Sequence, residues 1–298
     1  MYKHFVDLDK LTRSDLRNIL DLAKEIKNQP MKFCNNLEHK SLGILFEKQS
    51  TRTKVSFDIG MKNMGGNVIE LNSKSIGFGS RESDSDIIKV LSQYLNCLVI
   101  RNNDHDKIKS LAEFDFIPII NGLSNYSHPC QILSDVFTIE ENMGPISNLL
   151  IVWCGDINNV LVSLMQASII FNFNLHIASP KIIMHRKQDI LNKYISNKIK
   201  FFDNPYDAVV EADCVMTDIW ISMGANSSHK DKSLFEDFQI NDRLMSKTKN
   251  KSLFMHCLPA HRNEEVTDSV IDGEKSIVWQ QAKNRMVVQQ SILNFCIA

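Results

Sequence analysis

Short apolar runs of strand length alternate with amphipathic stretches of helical period along most of the chain, and this alternation constrains the fold more than any other feature. The runs lie at 42–46, 67–71, 97–101 and 117–120, then at 149–153, 175–178, 214–217 and 252–256. Helical patterns at 51–64, 83–95, 158–171 and 264–271 fall between them. Near-continuous apolar strands separated by helices predict parallel sheets with helices on both faces. A break at 140–148, EENMGPISN, contains Gly144-Pro145 and divides the strands into four before and four after. The expected fold is α/β: two doubly wound parallel-sheet domains of similar size, with the active site in the cleft between them. The first domain is placed at 1–140, joined by the C-terminal helix at about 283–298, and the second at 141–282. Residues 131–140 read as the helix connecting them, and the stretch 280–297 is long enough to pack back across a boundary.

A chain of 298 residues is the right size for two such domains. Hydrophobic residues at 43% supply a real core, and charged residues at 23% are ordinary for a globular protein. The formal net charge of −1 gives no global field for nucleic acid or anionic membrane, so neither is expected as a partner. A local cluster can still hold a small anion. Seven cysteines, at 34, 97, 130, 154, 214, 257 and 296, include no C-x-x-C pair. That argues against a disulfide framework or a structural zinc site and favours a reducing compartment. The N-terminus has no apolar core of signal-peptide length, and no run approaches bilayer-spanning length, so a cytoplasmic location is expected.

Ligands in such sheets bind beyond the carboxyl ends of the strands, and several polar clusters fall there. In QSTRTKVSF, residues 49–57, three hydroxyls and two cations occupy Ser50 to Lys54 at a helix start. Hydroxyls there ordinarily cap free N–H groups. The two cations go against the helix dipole unless an anion compensates, so an anion site competes with capping. Arg101 ends an apolar strand, where a solvated boundary residue is the plain alternative to an anion ligand. In NYSHPCQ, His128 and Gln131 open the next helix, where a His can donate to a carbonyl oxygen and a Gln can read an amide. VWCGDINNV lacks G-x-G-x-x-G, so a dinucleotide site is not supported, and Asn158 and Asn159 read as cap and turn residues. TDIWISMGAN is an apolar loop with interspersed polar groups, suited either to closure over a substrate or to simple surface packing. FMHCLPAHR is a poor zinc motif, and its Cys257 is either a small buried hydrophobe or a Cys–His nucleophile.

Taken together, STRT, HPCQ, DIWISMG and HCLPAHR resemble the ornithine carbamoyltransferase family, in order and spacing, from about Phe5 to the C-terminal helix. S-T-R-T and H-P-x-Q are shared with the aspartate-specific relatives; D-x-W-x-S-M-G and H-C-L-P look like the ornithine branch. The resemblance implies that domain one binds carbamoyl phosphate and domain two binds L-ornithine. It implies that Ser50, Thr51, Arg52 and Thr53 cradle the phosphate and that Arg101 bridges phosphate and carbonyl oxygen. His128 would donate to that oxygen, Gln131 would hold the carbamoyl NH2, and Cys257, Leu258 and Arg285 would close the pocket. Ornithine would be gripped by Asn159, Asp218, Ser222 and Met223, with Asp218 reading the α-amino group. The catalytic set implied is Arg52, Thr53, Arg101, His128, Cys257 and Arg285.

On this resemblance the neutral δ-amine of ornithine attacks the carbamoyl carbon, giving L-citrulline and phosphate with no metal or organic cofactor. The family also implies a homotrimer or a multiple of trimers. Whether the reaction serves arginine biosynthesis or degradation stays open, because both directions share one site. Lys54, Asp58, Ile87 and Val287 depart from the usual arginine, glutamate, threonine and histidine. None of them is assigned to direct substrate contact. Two rival readings are a carbamoyltransferase for aspartate, putrescine or an acylated ornithine, and a non-catalytic homologue; Asp218 and the Ser222-Met223-Gly224 loop favour free ornithine.

Overall fold

Local chemistry sets the elements before packing does. Helix α1 (Arg13–Asn28) starts at Thr12, whose hydroxyl accepts from the Asp15 N–H while the Asp15 carboxylate accepts from the Thr12 N–H. Its buried side chains are Leu16, Ile19, Leu20, Ala23 and Ile26, one stripe of a helix surface. The computed structural model describes residues 2–47, 50–72, 76–78, 82–221 and 232–298. Two compact units emerge, Met1–Ser134 with Lys283–Ala298, and Asp135–Ala282.

Unit 1 is built on strands β1 (Ser41–Phe46), β2 (Asn67–Leu71), β3 (Cys97–Arg101) and β4 (Ile119–Leu123), all parallel in the order β2-β1-β3-β4. Helices α2 (Thr51–Asn63), α3 (Asp84–Leu91) and α4 (His105–Glu113) connect them, and α5 (Pro129–Met143) follows β4. Leu45, Ile88, Leu98, Ile100, Ile108 and Ile119 belong to one apolar core. Strand order reverses at β1 and β3, whose C-terminal residues Phe46 and Arg101 pair in register. The topological switch point, where ligands gather in such sheets, therefore lies between these two strand ends.

Unit 2 has five parallel strands in the order β7-β6-β5-β8-β9. These are β5 (Leu150–Cys154), β6 (Asn174–Ala178), β7 (Ile199–Phe202), β8 (Cys214–Thr217) and β9 (Leu253–His256). Helices α6 (Asn159–Phe171), α7 (Lys181–Arg186), α8 (Gln188–Leu191), α9 (Pro205–Ala208), α10 (Asp242–Met245) and α11 (Asp268–Ile271) accompany them. The final helix α12 (Val278–Ile297) starts in unit 2 and ends in unit 1. Val152, Val215, Phe254, Ile240 and Ile271 lie in one buried cluster. Here the switch point lies between β5 and β8.

The α/β class with two parallel sheets agrees with the sequence reading, and three details correct it. Unit 2 has a fifth strand, β7, whose sequence IKFF is half exposed at the sheet edge and so lacks an apolar run. The helix expected over 264–271 is confined to Asp268–Ile271. Its first half instead bridges Ile240, with Ile240 N–H donating to the Glu265 carbonyl at 2.9 Å and Thr267 N–H to the Ile240 carbonyl at 3.0 Å. The fourth strand runs over 119–123 rather than 117–120, because its ladder starts beyond Pro118 and takes in Asn121-Gly122. Among the described residues no helix is long and apolar enough to cross a membrane.

Candidate functional site

In unit 1 helix α2 is the next element after β1, with Ser50 at its N-cap position. The Ser50 hydroxyl makes no capping bond; it donates to Thr53 Oγ1 at 3.0 Å. Of the two competing readings, capping by the Ser50 hydroxyl is therefore not what the structure shows. Thr53 is 1% exposed, and its Oγ1 also accepts from the Arg285 guanidinium at 2.5 Å, a contact that spans most of the chain. Thr51 and Arg52 are exposed on the first turn. Arg101 stands at the end of β3, with its Nε buried and without a hydrogen-bond partner among the described residues.

His128 and Gln131 come from the start of α5, where the His128 carbonyl accepts from the Gln131 and Ile132 N–H groups at 3.2 and 3.3 Å. Both side chains are buried, at 5% and 0% exposure. Burial holds the His128 imidazole well below its usual range, and Arg285, Arg101 and Arg52 push the same way. Burial also lowers Arg101, aided by the like charge of Arg52. These groups thus sit within one another's fields, with a neutral imidazole among three guanidiniums. Such a cluster offers donors and positive potential to an anion.

The departures from the usual pattern have local explanations. Lys54 pairs with Glu70 of β2 at 2.5 Å, and Asp58 with Lys62 one helical turn on at 2.9 Å. Ile87 and Val287 are apolar and 8% exposed.

In unit 2 a second cluster forms beyond β5, β8 and β9. The Asp218 carboxylate accepts from the Asn158 amide at 2.8 Å on one oxygen and from the Cys257 thiol at 3.0 Å on the other. Asn158 also caps α6, accepting from the Val160 and Leu161 N–H groups at 3.0 and 3.1 Å. Asn159, which the resemblance assigns to ornithine, is half-buried at the first turn of α6, next in the chain to the Asn158 that bonds Asp218. The cap signal of Asn158 was legible, and its second bond was not. Gly155, at φ +132, makes the turn after β5; a Cβ there would lie 3.3 Å from Thr217 Oγ1 and 3.6 Å from the Trp220 ring. Ser222 and Met223 lie outside the described residues.

Leu258 has φ 59, in the left-handed region, and its N–H donates to His256 Nδ1 at 2.8 Å. That bond leaves the proton of the imidazole on Nε2, facing Glu265 Oε1 at 3.1 Å. Glu265 Oε1 also accepts from the His261 N–H at 2.6 Å, so the HCLPAH turn closes around a buried His–Glu pair. Sequence reading passed over both partners as site residues. Asp218, His256 and Cys257 bring ligand atoms within 4.8 Å, a proximity that motif spacing did not show. In this arrangement the thiol donates to Asp218 and both imidazole nitrogens are engaged.

The chain matches the family model for the aspartate/ornithine carbamoyltransferase carbamoyl-P binding domain over residues 3–141. The model for the Asp/Orn binding domain of the same family matches residues 147–296. Ornithine carbamoyltransferase from Mesorhizobium japonicum is 42% identical over 99% of this chain and 98% of its own. That from Ruthia magnifica subsp. Calyptogena magnifica is 44% identical over 100% of both. Among solved structures, the ornithine carbamoyltransferase of Pyrococcus furiosus superposes with a TM-score of 0.89 at 37% identity, covering 99% of this chain and 97% of that one. The enzyme from Burkholderia thailandensis gives 0.89 at 34% identity, covering 99% and 98%.

Asp156, on the turn after β5, has its carboxyl pushed up to about 6 by burial, with Asp218 adding to the rise. A raised folded-state pKa means stability that is full below the unfolded value of 3.8 and is lost as pH climbs through about 6. Asp156→Asn should therefore be more stable than the parent at pH 8, by roughly 1–3 kcal/mol, and nearly equal to it at pH 4. Denaturant midpoints at the two pH values check this; an equal difference at both would contradict the assignment.

Proposed function

Because the chain belongs to the aspartate/ornithine carbamoyltransferase family, we propose that it transfers the carbamoyl group of carbamoyl phosphate to the δ-amine of L-ornithine, giving L-citrulline and phosphate. The observation that carries the reading is the gathering of Arg52, Arg101 and Arg285 around a neutral His128 at the start of α2 and α5. We assign carbamoyl phosphate to unit 1, with Ser50, Thr51, Arg52 and Thr53 on its phosphate and Arg101 between phosphate and carbonyl oxygen. His128 donates to that oxygen, and Gln131 holds the carbamoyl NH2. We assign ornithine to Asn159, Asp218, Ser222 and Met223, with Asp218 on the α-ammonium.

In the reaction the lone pair of the neutral δ-amine forms the new C–N bond, and the carbonyl π electrons move onto oxygen. The developing oxyanion meets the Arg101 and His128 donors, a preorganised stabilisation of the kind that often dominates catalysis. Collapse breaks the bond to the phosphate oxygen, and the charge of the leaving phosphate grows against Arg52 and the hydroxyls of α2. That phosphate is a competent acceptor for the proton the nitrogen sheds. His128 is held neutral, so it donates without titrating in the neutral range. Activity rises with pH as the substrate amine loses its proton.

Steady-state assays with carbamoyl phosphate and a panel of acceptors test the reading. Citrulline is expected with L-ornithine, and phosphate release indifferent to ornithine would refute it. A preference for aspartate, putrescine or an acylated ornithine would favour the second reading, an altered acceptor; the Asp218 carboxylate argues for a free ammonium group. Arg52→Ala should weaken carbamoyl phosphate binding about tenfold or more, the loss of a charge-assisted contact. Its exposed position means that thermal stability should barely move. Calorimetric titration showing undiminished binding would remove Arg52 from the phosphate site.

We further assign a cytoplasmic location, supported by seven cysteines of which none is in a disulfide. A homotrimer, or a multiple of trimers, accords with the apolar side chains that unit 1 leaves on its surface. Val55 and Ile59 on α2 are 51% and 41% exposed, and Ile69 on β2 is 45% exposed. Sedimentation equilibrium should return a multiple of three chain masses; a monomer would count against it.

A further inference from the structure

Asp7, His105 and Ser124 form a buried line of hydrogen bonds that the proposed chemistry leaves unused. The Asp7 carboxylate lies 2.9 Å from His105 Nε2, and His105 Nδ1 lies 2.9 Å from Ser124 Oγ. The three residues are 3%, 8% and 0% exposed. An ionised carboxylate only accepts, so Nε2 carries a proton and donates to Asp7. Aspartate, histidine and serine in this order suggest a nucleophile, and burial excludes it. Ser124 has no exposed surface, and its oxygen also accepts from the Ser127 and Tyr126 N–H groups at 3.1 and 3.3 Å.

What the line does is hold a loop. Asp7 belongs to an N-terminal segment fixed alongside β4, with Phe5 N–H donating to the Ile119 carbonyl at 2.8 Å and Asn121 N–H to the Phe5 carbonyl at 2.9 Å. The Asn121 amide donates to the Val6 carbonyl and to Ser127 Oγ, both at 3.0 Å. The Asn125 N–H donates to the Asn103 carbonyl at 3.1 Å, and the Tyr126 ring lies 5.0 Å from the His105 ring. Every residue from Ser124 to Ser127 is thus bonded or packed, and His128 is the next in the chain.

We propose that Asp7, His105 and Ser124 are positioning residues that set the imidazole of His128 through the loop 124–127. The proposal rests on the reading above, in which His128 donates to the carbamoyl oxygen. A displacement on the order of 1 Å at a reacting group can cost about a hundredfold in rate. Ser124→Ala and His105→Ala are expected to lower kcat about tenfold or more, with the KM for ornithine within about twofold of the parent. His105→Gln offers one donor and one acceptor in place of the two ring nitrogens and should stay within about threefold of the parent. In a His128→Ala background, Ser124→Ala should have no further effect on kcat, since residues acting through one another are not additive.

The same loss from Ser124→Ala in both backgrounds, or no loss in the parent, overturns the proposal. Independently of turnover, the His128 ring resonances in NMR should move in Ser124→Ala and stay near their parent positions in His105→Gln; unmoved resonances in Ser124→Ala overturn it as well. Ser124→Ala deletes a single oxygen, so the test stands even where His105→Ala does not fold. A parent chain that makes no citrulline refutes the functional reading, whereas an active parent with additive losses refutes only the positioning role.

Discussion

Positive charges held within one another's fields are the condition around which unit 1 is organised. Arg52, Arg101 and Arg285 come from a helix start, a strand end and the final helix, and each lies in a field that disfavours the protonation of His128. Repulsion of this kind opposes folding, so rigid elements must hold the groups in place. The parallel β1–β3 pairing does so by setting Phe46 beside Arg101. The bond from Arg285 to the buried Thr53 hydroxyl does so from the other side. An anion entering there would relieve the repulsion, so on the proposed reading binding energy and catalytic preorganisation come from the same charges.

Unit 2 solves an inverse problem with carboxylates. Asp218 is kept in place by a thiol and an amide, and Asp156 nearby is pushed toward its neutral form by burial. A Gly turn leaves room for Thr217 and Trp220, and the HCLPAH turn is folded over a His–Glu pair with no exposed side-chain surface. Each of these devices fixes a polar group by giving it more than one partner, so rotamer freedom is spent on folding rather than on binding.

The parts legible in the sequence were those carried by period and by short motifs. Eight of the strands announced themselves as apolar runs; β7 did not, because an edge strand exposes part of its face and IKFF reads as mixed. The residues 264–267 looked helical, and a long-range bridge to Ile240 won over local preference. Arg52, Thr53, Arg101, His128 and Gln131 were named through short motifs that carry the family resemblance, whereas the bonds of Asn158, His256 and Glu265 were not legible. Their roles depend on partners tens of residues away or on the inside of a turn, and spacing encodes neither. The Asp7–His105–Ser124 line was invisible for the same reason, its members lying 98 and 19 residues apart.

The bond between Thr53 and Arg285 joins residues separated by 232 positions. Unit 1 is discontinuous in sequence, since Lys283–Ala298 belongs to it while the whole of unit 2 intervenes. A ribosome making this chain from its N-terminus therefore releases unit 2 complete while unit 1 still lacks its last helical segment. The guanidinium from α12 reaches its place only after Asp135–Ala282 has been made. The arginine cluster of unit 1 is thus assembled only after the whole of unit 2 has been made.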